Sequence, residues 1–196
     1  MKEIDRYVQI KSNNLTPSKG CLLISEPFMG DYYFGRSVIL MAEHNEEGSF
    51  GVVLNKTINA SFNDVLIDFP PFEANIYLGG PVDTNSSFYI HSLGDQIDDS
   101  LEIGNGLFWG GDIEQIKELM LLKQLNSSNI RFFLGYSGWG EDQLVAELKK
   151  NSWMVHESAN KSILTYPVNN MWSGMLSNLG SQYKYWSKFP TDPIVN

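Results

Sequence analysis

Two short apolar runs separated by one polar turn constrain this chain more than any other feature. Ser37 to Glu43 and Phe50 to Leu54 are almost wholly apolar, and between them lies His44-Asn45-Glu46-Glu47-Gly48. Each run is well below helix length, and a five-residue loop ending in glycine brings the two together as the strands of a hairpin. A further run, Cys21 to Ile24, is released by Gly20 and stopped by Pro27. It reads as a buried strand.

The rest of the chain alternates strand and helix signals. Ser61 or Asn63 caps a short helix over Val65 to Phe69, which Pro70 and Pro71 end. Strand composition returns at Ile76–Leu78, Phe88–His91, Leu101–Ile103 and Leu107–Trp109. Asp112 and Gln115 have capping-box spacing for a helix that carries Ile113, Ile116, Leu119 and Met120 and ends near Asn126. Ile130 to Tyr136 then reads as a strand and Asp142 to Lys150 as a helix, with Lys149 and Lys150 suiting its negative end. Trp153 to His156 is a short strand, and a last long helix spans Val168 to Leu179 with Gly180 as its left-handed stop. Hairpins mixed with strand-to-helix steps predict an α/β chain of the α+β type, a mixed sheet with helices packed on it. No repeat or linker divides residues 1–196, so one domain is expected, with a polar lead-in over 1–19 and an aromatic extension over 181–196.

Composition bears on which partners such a domain can meet. Fourteen Lys and Arg against 23 Asp and Glu leave a formal charge of −9, and Arg6, Arg36 and Arg131 are the only arginines. That leaves no broad positive field, so direct nucleic-acid binding and anionic membranes are disfavoured. The longest apolar run, Val38 to Ala42, is far short of the roughly 20 residues of a membrane helix. The single cysteine, Cys21, cannot form an internal disulfide, and the first residues lack the apolar stretch of a signal peptide. A cytoplasmic address is therefore expected.

Four segments, in order, carry a resemblance. They are Ser37 to His44 running on to Gly48–Asn55; Leu78-Gly79-Gly80-Pro81-Val82; Leu134 to Gly140 with Gln143-Leu144 and Glu147-Leu148; and Ser152-Trp153. Together they resemble the YqgE/AlgH family of small bacterial proteins over roughly residues 20 to 180, and four ordered segments are far more specific than one short motif. The chain departs from the family pattern at Asp142, where a small residue, often Gly, usually precedes the Gln. The resemblance implies a compact domain with a partly barrel-like, split sheet surrounded by helices. It implies much less about activity. The label "transcriptional regulator" that some members carry comes from a link to alginate control and not from a DNA contact.

Among groups with chemistry to offer, Ser137 stands first by position. Gly135-Tyr136-Ser137-Gly138-Trp139 falls where a strand meets a helix, the place of a hydrolase nucleophile elbow, but Trp139 occupies the second glycine of that pattern. His156 follows only 19 residues later, leaving no room for the usual acid and its strand. The glycines read instead as a sharp turn that lets Trp139 pack under the next helix. His44 is the best proton donor or acceptor, and Glu43 beside it on a strand points to the opposite face. Three histidines, His44, His91 and His156, show no metal-ligand spacing, so no metal is expected. Gly79-Gly80 lacks the lysine and spacing of a phosphate loop, so no cofactor is read either. Asp95, Asp98, Asp99 and Glu102 miss the calcium-loop spacing, and Cys21 looks like a small buried hydrophobe. The run Tyr183-Lys184-Tyr185-Trp186-Ser187-Lys188-Phe189 has too few lysines for a nucleic-acid platform and is expected to fold back or meet a partner.

These residues point to a non-catalytic binding or regulatory module, acting through a protein partner or a small ligand near Glu43, His44, Gly79, Gly80, Ser137 and Trp139. The alternatives are a small-molecule enzyme using His44 as acid or base and a direct DNA-binding regulator. Nothing in the sequence specifies an oligomeric state. If the glycines are scaffold, Gly48→Val and Gly80→Val lower the thermal midpoint more than His44→Ala does, and comparable midpoints for all three overturn that reading.

Overall fold

The computed structural model describes residues 11–157 and 159–190. Its spine is the strand β8, Ile130–Gly140, which lies between three other strands. In chain order the strands before it are β1 (Leu22–Ser25), β2 (Val38–Asn45), β3 (Gly48–Val53), β4 (Ile76–Leu78), β5 (Val82–His91), β6 (Leu101–Gly104) and β7 (Leu107–Trp109), and β9 (Trp153–His156) follows. The helices are α1 (Phe62–Val65), α2 (Ile113–Leu121), α3 (Gln143–Lys149), α4 (Val168–Asn178) and α5 (Ser181–Trp186). The strand order is β6-β7-β5-β8-β3-β2-β1-β9, with β4 paired to β8 off that path. Only the β4–β8 pairing is parallel, so the sheet is mixed, as expected from hairpins alternating with helical steps.

The sheet is split because β8 changes partner halfway. Ile130 to Tyr136 pairs β5, the other edge of Phe132–Leu134 holds β4, and beyond Gly135 that edge passes to β3 through Ser137–Gly140. The kink at Gly135, φ +66, makes the handover. The sheet curls without closing. Between its two ends, Asn105 Nδ2 donates to the Ala159 carbonyl at 3.0 Å, and the Gly20 carbonyl accepts from Ala159 N at 2.9 Å. Among the described residues the outer edge of β9 meets a side chain and not a strand: the Asn13 amide donates to the Val155 carbonyl and accepts from Val155 N.

Alternation along the strands sorts the core into three clusters. One face gathers Leu40, Val52 and Phe133 under Met171, Trp172 and Leu176 of α4 and Tyr183 and Trp186 of α5. A second packs Phe62 of α1 and Ile116 and Met120 of α2 around Phe132, whose ring lies 5.0 Å from that of Phe62. A third sets Leu23, Ile39, Met41, Trp139 and Trp153 against Leu144 of α3. Arg131 ties segments together from within. It is 4% exposed, its two terminal nitrogens donate to the Leu54 and Leu164 carbonyls, and its guanidinium lies 4.5 Å over the Tyr77 ring.

Several local expectations need correction. The hairpin turn is two residues, Glu46 and Glu47, because Asn45 pairs with Gly48 and its side chain accepts from Glu47 N at 2.9 Å. The first short helix runs from Phe62 to Val65 with Ser61 as its cap, so it starts three residues before Val65 and ends four residues before Phe69, the bounds expected for it. Asp112 caps α2, but Gln115 reaches to Asp98 instead of back to the cap, and the helix stops at Leu121. Gly180 ends α4 with φ 139 and ψ 176, an extended mirror-image conformation and not a left-handed helical stop, and α5 starts directly after it. Asp142 explains its own departure from the family pattern: its φ of 57 and ψ of −7 are left-handed, the conformation that a glycine there adopts freely and Asp tolerates. Asp142→Val is expected to cost about 1–2 kcal/mol in chemical denaturation and Asp142→Gly to stay within about 0.5 kcal/mol of the parent.

Candidate functional site

A bulge in β2 between Met41 and Glu43 and the tight turn beyond it set the two polar residues of the hairpin. Glu43 lies opposite Phe50, and His44 opposite Ser49. The His44 Nδ1 sits 2.6 Å from the Ser49 hydroxyl, a cross-strand bond that fixes the ring. The Glu43 carboxylate accepts from His44 N at 3.0 Å and from the Lys19 ammonium at 3.2 Å. The backbone bond, then Lys19, hold its carboxyl below the ordinary carboxylate value, so Glu43 is ionised at neutral pH. Their side chains serve different clefts. His44 lines one of about 320 Å³ with Asn45, Ser49, Asp142 and Leu144, whereas Glu43 lines one of about 440 Å³ with Phe50, Tyr136 and Trp139.

Ser137, Gly79 and Gly80 lie together at an interior junction. Ser137 is inside β8 and fully buried, not at a strand-to-helix elbow, because Ser137–Gly140 continues the ladder with β3. Its hydroxyl donates to the Gly79 carbonyl at 3.0 Å. A Cβ on Gly79 would stand 2.2 Å from the Gly135 carbonyl oxygen, and one on Gly80 2.3 Å from that of Tyr136. The segment is a close backbone crossing. Trp139 belongs to the third core cluster, 5% exposed, and borders the Glu43 cleft with one edge. Of the six residues singled out by sequence, the fold therefore brings Glu43 and Trp139 to one cleft, sets His44 in the neighbouring one, and places Gly79, Gly80 and Ser137 at a separate buried crossing.

Sequence reasoning missed two groups here. Glu147 of α3 receives both indole N–H groups, Trp139 at 2.9 Å and Trp153 at 2.7 Å, and so pins the helix to the sheet. The other is a recess of about 280 Å³ walled by Phe50, Phe88, Trp109 and Tyr136. Phe88 stacks on Trp109 at 5.5 Å and meets Tyr136 edge-on at 5.3 Å, and Phe50 closes the far side 5.3 Å from Trp109. The recess shares Phe50 and Tyr136 with the Glu43 cleft, so the two form a continuous surface. Its four rings come from β3, β5, β7 and β8, and only the strand order, which no local motif encodes, assembles them.

The remaining reactive groups are occupied internally. His91 is fully buried, its Nε2 lies 2.9 Å from the Gly110 carbonyl and its Nδ1 accepts from Leu93 N, and burial pushes its pKa below the ordinary 6.5. Burial pushes the Cys21 thiol up, away from thiolate reactivity. Among the described residues, no three His, Cys, Asp or Glu side chains come together to hold a metal, and no helix is long and apolar enough to cross a membrane.

Taken together, an open split sheet, two clefts beside a hairpin and an aromatic recess define a small α+β domain with its concave surface at one end of its spine. A model of the AlgH-like family matches residues 22–184, and the chain belongs to that family. It is 43% identical over 189 residues to UPF0301 protein BF2109 of Bacteroides fragilis and 44% identical over 189 residues to a UPF0301 protein of Bacteroides thetaiotaomicron, each covering 96% of both chains. Two solved structures share the fold. Protein DIP2367 of Corynebacterium diphtheriae superposes with a TM-score of 0.72 at 27% identity, covering 89% of this chain and 94% of its own. The AlgH protein of Pseudomonas aeruginosa gives 0.70 at 28% identity, covering 86% and 93%.

Two outcomes follow from this geometry. Glu147→Leu strands two buried indole donors and is expected to cost about 2 kcal/mol or more, whereas Glu147→Gln keeps an acceptor oxygen and costs less than about 1 kcal/mol, both read from denaturant midpoints. Because the folded His91 has the lower pKa, the unfolded chain takes up a proton that the folded one refuses. This contribution to stability is complete above pH 6.5 and is lost as pH falls through that value. Thermal midpoints between pH 7.5 and 5 are expected to fall for the parent, and His91→Gln is expected to flatten that slope.

Proposed function

We propose that this protein is a non-catalytic, cytoplasmic binding module that holds a small ligand or a side chain of a protein partner at the hairpin end of the sheet. The observation that carries it is a contrast. Ser137 and His91 spend their hydrogen bonds on Gly79 and Gly110 and His44 gives its Nδ1 to Ser49, while Phe50, Phe88, Trp109 and Tyr136 wall a recess that nothing among the described residues fills. Aromatic walls next to the ionised Glu43 favour an apolar or aromatic group that carries a polar or cationic end. Direct contact with DNA finds no support in a charge of −9.

A second reading, an enzyme using His44 as acid or base, is favoured by one feature: the His44–Ser49 pair at 2.6 Å on the rim of an open cleft. A screen of aromatic and amine fragments by two-dimensional NMR separates the two. The binding reading expects saturable shifts at the Trp109 indole and the amides of Phe50, Phe88 and Tyr136, lost in Trp109→Ala and retained in His44→Ala. Turnover of any defined metabolite that disappears in His44→Ala transfers the assignment to the enzyme.

A further inference from the structure

Two cations line a cleft on a different part of the surface, and among the described residues neither forms an ion pair with an acid. The loop between β1 and β2 and the residues just after β3 enclose about 370 Å³, lined by Pro27, Phe28, Met29, Asp31, Arg36 and Lys56, with no lining residue in common with the hairpin clefts or the aromatic recess. The ion pairs among the described residues are Lys19–Glu43 and Lys117–Glu114. Lys56 donates to the Tyr32 carbonyl at 2.9 Å, and one terminal nitrogen of Arg36 donates to the Phe189 carbonyl. Carbonyl dipoles satisfy donors but do not neutralise charge. Burial accordingly pushes the pKa of both cations down, with Asp31 partly offsetting this for Lys56.

The pair is also prearranged. Arg36 has φ +52, a left-handed conformation that points a bulky residue out of the strand that follows. Asn55 locks it there: its side chain donates to the Arg36 carbonyl and accepts from Val38 N, both at 2.9 Å, which ties the Arg36 turn to the segment carrying Lys56. The guanidinium carbon lies 4.8 Å from the centroid of the Trp172 ring, and its Nε is buried with no partner among the described residues. Asp31, the only acid in the lining, spends one oxygen on Tyr33 N and Phe34 N. Two cations and one carboxylate line this cleft on a chain of −9, and beside it the Glu26 carboxylate accepts from Phe28 N at 2.7 Å. Phe28, Met29 and Pro27 supply an apolar wall beside them.

We infer that this cleft binds the oxyanion group, phosphate or carboxylate, of a small ligand, with Arg36 and Lys56 holding the anion and Phe28 and Met29 covering an apolar body. A guanidinium and an ammonium that line one cleft are the side chains that hold such oxyanions through charge-assisted bonds.

The test is an NMR titration of the full chain with phenyl phosphate and, in parallel, phenylacetate, against sodium chloride at matched ionic strength. Saturable shifts confined to the amides of Phe28 to Arg36 and Lys56 are expected with one or both ligands and not with chloride, and the tighter ligand identifies the anion. Lys56→Gln and Arg36→Lys are each expected to weaken binding about tenfold or more, through loss of a charge-assisted bond, with Lys56→Gln keeping the parent's melting midpoint. Absence of saturation with either ligand overturns the inference, as does equal affinity in both variants or an identical response to chloride. Because these residues lie outside the hairpin clefts, none of those results bears on the aromatic recess.

Discussion

Everything else in this fold depends on two backbones passing closer than any side chain allows. At the end of β4, Gly79 and Gly80 run against the kink of β8, and a Cβ on Gly135 would stand 2.6 Å from the Gly80 carbonyl oxygen. That contact is where β8 gives up β4 and takes β3, so the split sheet, the separate core clusters and the hairpin's place at the far end all follow from it. The Ser137 hydroxyl on the Gly79 carbonyl seals the crossing with a buried bond, which explains a fully buried serine in this strand.

The hairpin, the mixed character of the sheet and the helix after Asp112 were legible because each rests on local chemistry: apolar runs, a short polar turn between them, a capping aspartate. What was not legible depends on distant partners. The strand reading of Ile130 to Tyr136 stopped at Ser137 because three glycines look like a turn in isolation. In the fold Gly138 and Gly140 are ladder residues opposite Phe50 and Gly48. The opposite orientation of Glu43 and His44 followed from strand periodicity and survives the bulge, since the two line different clefts. Phe88 and Trp109 read only as strand residues, and Glu147 as part of a matching segment, because their roles arise from register between strands far apart in the chain.

Cations in this acidic protein act as internal fasteners. Arg131 lies over the Tyr77 ring and gives both terminal nitrogens to backbone carbonyls, Arg36 lies over the Trp172 ring and gives one terminal nitrogen to the Phe189 carbonyl, and in both burial opposes the charge. A guanidinium tolerates this because it is weakly hydrated and presents donors in one plane while its face stacks. Acidic side chains crowd the surface, and the few positive groups that turn inward join segments far apart in sequence, as Arg131 joins β8 to Leu54 and Leu164.

The asparagine at the rim of β9 has a consequence beyond its two hydrogen bonds. An open sheet leaves edge strands whose free amides and carbonyls are a template for any other extended chain, the route to strand addition and aggregation. The Asn13 side chain presents one carbonyl and one amide, the same pair a neighbouring peptide would offer, and gives both to Val155. One planar amide thus imitates a missing strand for one residue. At Val155 the edge therefore offers an incoming chain neither a free amide nor a free carbonyl.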